Sequence, residues 1–152
     1  MKKKILLILL ILTSFFLTGC MSKEVINADT FKKVLEENNY EVNDTTESYQ
    51  MQTTFKKVLI AIKEPEYIQI DFYEFEEEET AIQIYENQKM IIEGSAVSSS
   101  HTNVEAINYD KYEQTSDGQY GVVVRVENTV VYALVHKDYK EEVQSVLEKL
   151  GY

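Results

Sequence analysis

Tryptophan is missing from the 152 residues, cysteine, proline and arginine each occur once, and histidine occurs twice. One cysteine cannot close a disulfide within the chain or supply a thiolate metal site. The folded part must therefore stand on a hydrophobic core, which a domain of this size can supply. Aromatic platforms for sugars favour tryptophan, so saccharide binding is not indicated. With His101 and His136 as the only imidazoles, groups that titrate near neutrality are scarce. His101 follows Ser98, Ser99 and Ser100, but no G-x-S-x-G turn accompanies them. Neither H-E-x-x-H nor C-x-x-C spacing occurs, and Gly118-Gln119-Tyr120-Gly121 lies in a hairpin pattern rather than a phosphate loop. No catalytic residue, metal site or cofactor is assigned, and the chain is read as a protein that is not an enzyme. Positive charge is also in short supply. The formal net charge of −11 speaks against nucleic acid, which is bound through clustered Lys and Arg.

What is present is concentrated at the amino end. Lys2, Lys3 and Lys4 precede an apolar run from Ile5 to Leu12, and Thr13, Ser14 and Thr18 dilute the stretch between that run and Gly19. A basic segment and a short apolar one form an export signal; a membrane span needs about 20 apolar residues. Leu17-Thr18-Gly19-Cys20 closes this region. The tetrapeptide resembles the lipobox of bacterial lipoproteins, and the resemblance covers residues 1–20. It implies cleavage before Cys20, diacylation of its sulfur, and a membrane anchor through diacylglyceryl-Cys20. Two acyl chains hold stably where one holds marginally. Loss of residues 1–19 removes three lysines and takes the net charge from −11 to −14.

The expected organisation is a signal peptide over 1–19, a lipidated terminus and short linker over 20–27, and one acidic domain over 28–152. Hydrophobic periodicity predicts a helix over about Ala28–Asn38, then a polar stretch from Glu41 to Thr54 read mostly as loop. Strands at Lys56–Lys63 and Tyr67–Phe75 form a hairpin around Glu64-Pro65. A second helix covers roughly Glu77–Ile92, and Gly94–Asn103 is a serine-rich loop. Strands come next at Ala106–Glu113, Gln119–Glu127 and Thr129–His136, the last two joined by the turn Glu127-Asn128. The final helix is expected to be capped by Asp138 and ended by Gly151, with Tyr139, Val143, Val146, Leu147 and Leu150 as its apolar stripe. The order α-β-β-α-β-β-β-α predicts an α+β domain, an antiparallel sheet of about five strands with helices packed on one face. Lys33-Val34-Leu35-Glu36 with Tyr40 also echoes Ser145-Val146-Leu147-Glu148 with Tyr152.

Eleven tyrosines remain. Tyrosine supplies large contact area at low entropy cost, as interfaces require. Tyr67, Tyr73, Tyr109 and Tyr112 are the candidate binding face, expected on the side of the sheet opposite the helices. Lipobox, short linker and one acidic α+β domain together resemble the small cell-envelope lipoproteins of Gram-positive bacteria. That resemblance implies a place at the outer face of the cell membrane. The function expected is a non-catalytic module that binds an envelope protein or peptide. The alternative is a carrier of a small ligand or divalent metal, built on carboxylates and the two histidines.

Overall fold

The computed structural model describes residues 22–49, 55–95 and 99–152. The expected signal peptide and the expected lipidation residues Leu17, Thr18, Gly19 and Cys20 lie outside the described residues. The elements are α1 (Ala28–Glu37), β1 (Glu41–Asp44), α2 (Thr46–Tyr49), β2 (Phe55–Lys63), β3 (Ile68–Phe75) and α3 (Glu78–Gly94). They continue with β4 (Ser99–Glu105), β5 (Tyr109–Ser116), β6 (Gln119–Val126), β7 (Thr129–His136), a 3-10 turn (Lys137–Tyr139) and α4 (Lys140–Lys149). All strands join one antiparallel sheet in the order β1-β2-β3-β7-β6-β5-β4. The class is therefore α+β with a single antiparallel sheet.

Several expectations change. The sheet has seven strands, not about five. β1 is four residues long and β4 has no buried residue, so neither shows the period-two alternation by which a half-buried strand is read. The element order is correspondingly α-β-α-β-β-α-β-β-β-β-α. The strand expected at Ala106–Glu113 is shifted to Tyr109–Ser116, and 106–108 form the β4–β5 turn.

Helices cover both faces of the sheet rather than one. The central strands are apolar on both sides, as the consecutive buried Val122, Val123 and Val124 of β6 and Val130 and Val131 of β7 show. A strand of that kind needs a cover above and below. On one face Phe31 and Leu35 of α1 and Val143, Val146 and Leu147 of α4 pack with Ile70, Phe72, Tyr120, Val122 and Val131. On the other, Ala81, Tyr85 and Ile92 of α3 pack with Val58, Tyr73, Phe75, Tyr112, Val123 and Val130.

The echo between α1 and α4 has a physical basis. After each helix one residue takes positive φ, Asn39 at 65° and Gly151 at 90°. The next N–H, of Tyr40 or Tyr152, then donates back to Leu35 O (3.0 Å) or Leu147 O (2.9 Å). This is the Schellman stop, which satisfies orphan carbonyls and tucks an apolar residue beneath the helix. Both tyrosines are buried. Asn27 caps the other end of α1, its side chain accepting from Thr30 N at 2.8 Å.

The segment read as linker is partly docked. Lys23 N donates to Asn108 Oδ1 (3.1 Å), Asn108 Nδ2 donates to Lys23 O (2.9 Å), and Ile26 is buried in the α1–α4 core. Lys23 Nζ also donates to Gly151 O at 2.9 Å and lies 5.4 Å from the Tyr109 ring centre.

Candidate functional site

The four tyrosines of the expected face do not share one. Tyr109 and Tyr112 are three residues apart on β5, so strand alternation sends them to opposite sides of the sheet. Tyr109 joins the α1–α4 core, while Tyr112 and Tyr73 are buried beneath α3. Tyr67 precedes β3 with φ 55° and stays 73% exposed in the β2–β3 turn. Burial consumes three of these rings as core, the outcome favoured by their large apolar area.

A different feature emerges on the α3 face. Alternation puts Ile60 and Ile62 of β2, Asp71 of β3, and Tyr132 and Leu134 of β7 on the side of Val58 and Tyr73. Ile60, Ile62, Tyr132 and Leu134 are half-buried, so α3 leaves this part of the face partly open. α3 lies chiefly over β6 and β7. Lys89, on one flank of α3, has its Nζ 5.5 Å from the centre of the Tyr112 ring in β5. The opposite flank, carrying Ile84 and the 51% exposed Ile91, therefore looks toward β7 and the open strip.

Asp71 is the polar group in this apolar strip. It is 7% exposed; Gln69 Nε2 donates to its Oδ1 at 2.8 Å and Tyr73 Oη to its Oδ2 at 3.1 Å. Burial pushes its carboxyl above the usual carboxylate range, partly offset by these two hydrogen bonds. The Tyr73 hydroxyl is raised too, by burial first and then by the neighbouring Asp71 charge. None of the ion pairs among the described residues includes Asp71. A carboxylate held in apolar surroundings without a cation is suited to receive one.

Asp71 also stands at a fork in the sheet. The β3/β7 ladder runs only from Asp71↔Tyr132 to Glu74↔Thr129, though each strand has eight residues. Beyond it Ile68–Ile70 pair with β2 and Ala133–His136 with β6. The sequence signal for this site was an aspartate between Ile70 and Phe72, which simple alternation assigns to the solvent side.

Other polar clusters resolve into structure. Arg125 is the buried partner of Asp110 (Nη2–Oδ2 2.6 Å) and Glu78 (Nη1–Oε1 2.8 Å). It thereby fixes the glutamate-rich start of α3 to the sheet. His101 stacks 5.9 Å from Tyr112 on the edge strand β4, and no serine bonds it among the described residues; Ser98 lies outside them. His136 Nδ1 is 3.3 Å from Asp138 Oδ2. Among the described residues no group of three or more His, Cys, Asp or Glu is arranged to hold a metal ion, and no helix is long and apolar enough to cross a membrane.

No family model matches the chain, and no curated protein matches it. Among solved structures, a GTP-binding regulator from Thermotoga maritima is similar over 80% of this chain and 84% of its own, at 24% identity and a TM-score of 0.47. A likeness that loose carries no argument about ligand or activity.

Proposed function

We propose that this protein is an extracytoplasmic lipoprotein, anchored through diacylglyceryl-Cys20, whose domain is a non-catalytic binding module for an envelope protein or peptide. The lipobox Leu17-Thr18-Gly19-Cys20 supports the anchor and the location. The observation that carries the binding role is Asp71: a buried carboxylate with no cation paired to it among the described residues, at the floor of the half-open strip of Ile60, Ile62, Tyr132 and Leu134. A partner that lays an apolar segment on this strip and brings a lysine or arginine to Asp71 would compensate the buried charge. The overall negative charge of the domain favours a basic partner in the same sense. The tyrosine face first expected thus gives way to a strip in which Tyr132 is the contributing ring.

The test places a photoactivatable crosslinking residue at Leu134 in intact cells, and separately at Glu36, which is exposed on α1 across the sheet. A discrete adduct from Leu134 alone, weakened by Asp71→Asn, is the expected result. Equal or absent labelling from the two positions would remove the binding reading. Mass spectrometry of the mature amino terminus checks the lipid separately, with Cys20→Ala as the unanchored form.

A further inference from the structure

The clip between Lys23 and Asn108 gives the anchor a direction. Only Met21 and Ser22 separate Cys20 from Lys23, so the acylated residue can lie no more than about 11 Å from the clip. A free linker from Cys20 to α1 would let the domain tumble at more than twice that distance, but Lys23 is held at three points. Its backbone bonds Asn108 twice, and its Nζ bonds Gly151 O. Asn108 belongs to the β4–β5 turn and is braced in turn by Glu127, whose N–H donates to Asn108 O at 2.9 Å. Lys23 is thus fixed at one defined end of the sheet, the end holding the β4–β5 and β6–β7 turns.

At that end stands Ile107. It is 92% exposed, the highest value among the large apolar side chains of the described residues, and it is the residue next to the clip. A branched aliphatic side chain at the tip of a turn, beside the point where an acyl anchor leaves, has one apolar surface within reach: the bilayer. We propose that the β4–β5 turn rests on the lipid surface with Ile107 inserted into it, so that the strands stand away from the membrane and the β2–β3 and β5–β6 turns point outward. This rests on the reading of Cys20 as lipidated. Glu105 and Glu127 are exposed beside the turn, so an anionic lipid surface would repel it and the contact through Ile107 is suited to a zwitterionic one. It concerns the end of the sheet, whereas the strip around Asp71 lies on its α3 face.

The acylated sulfur of Cys20 is blocked, so a cysteine introduced elsewhere is the only free thiol of the mature protein. Lipidated full-length protein carrying Ile107→Cys or Tyr67→Cys is labelled with an environment-sensitive fluorophore and reconstituted in phosphatidylcholine vesicles. Both sites are exposed, so neither substitution disturbs packing. The expected result is a blue-shifted emission at position 107 that is quenched by brominated acyl chains, with neither effect at position 67. Firmly vesicle-bound protein in which both labels report water would overturn the orientation while leaving the lipoprotein reading intact. Protein without the diacylglyceryl mass overturns both.

Discussion

Arg125 is the chain's one arginine, and its surroundings explain why a lysine would not serve. Nε and Nη2 approach Asp110 Oδ2, while Nη1 reaches both Glu78 Oε1 and Glu127 O. A planar fork sets Nε and Nη2 on Asp110 while Nη1, on its other side, reaches Glu78 and Glu127, a spread that one ammonium nitrogen cannot span. Arg125→Ala leaves Asp110 without its cation and should cost about 3 kcal/mol, the low end for a broken buried pair because Glu78 reaches water. The shift in urea midpoint measures it. Asp71 behaves in the opposite sense. Its folded pKa is raised, so the native state holds this proton more tightly than the unfolded chain does. The associated stabilisation is complete below the unfolded aspartate pKa and is lost as pH rises through the folded value. Asp71→Asn should therefore raise the melting temperature at neutral pH and narrow or reverse the difference in mild acid. Asp44 contributes with the reverse sign. Hydrogen bonds from Lys57 and Thr46 bring it down to about 2, but it lies at the surface and its effect is small.

At the scale of elements, α3 sits close to the sheet because β6 has a glycine beneath it. A Cβ added at Gly121 would stand 2.7 Å from Ile92 Cγ2 and 2.8 Å from Ile92 Cγ1. Ile92 is fully buried, and its carbonyl is held by Gln114 Nε2 at 2.9 Å, so it cannot step aside. Gly121→Ala should cost about 2 kcal/mol by overpacking, read from chemical unfolding. Elements with one strong periodicity were legible from sequence: the α4 stripe, the β6–β7 hairpin and the pairing of β2 with β3. Within the Glu127-Asn128 turn it is Glu127 that takes positive φ, at 49°. Asn128 instead ties the hairpin to β3, its Nδ2 donating to Phe75 O at 2.7 Å. β4 was illegible because nearly every side chain on it meets water, so no pattern distinguishes it from a loop. The candidate site was hidden for a related reason. Expecting helices on one side of the sheet leaves Gln69, Asp71 and Tyr73 on its open face, whereas a second helical layer packs with Tyr73 and Asp71 is buried beside it. The tyrosine pattern was visible, but which rings are core depends on strand offsets that single residues do not report.

Across the whole molecule, protection should grade across the sheet. β6 and β7 lie between helices on both faces, whereas β4 ends the sheet with hydrogen bonds to β5 alone. Native-state hydrogen exchange should find the slowest amides in β6 and β7, and amides of β4 should exchange faster than either. Among the described residues only one ladder joins strands distant in sequence: residues 71–74 of β3 with 129–132 of β7. Every other pairing is between neighbours along the chain. The protein is therefore two local meanders, β1–β3 and β4–β7, stitched by four residue pairs and clasped by α3. Each meander can begin forming from its own hairpins at small entropic cost. The stitch requires closing a loop that contains α3 and most of the second meander. The short ladder that opens the fork at Asp71 is thus where the two local halves of the chain become one sheet.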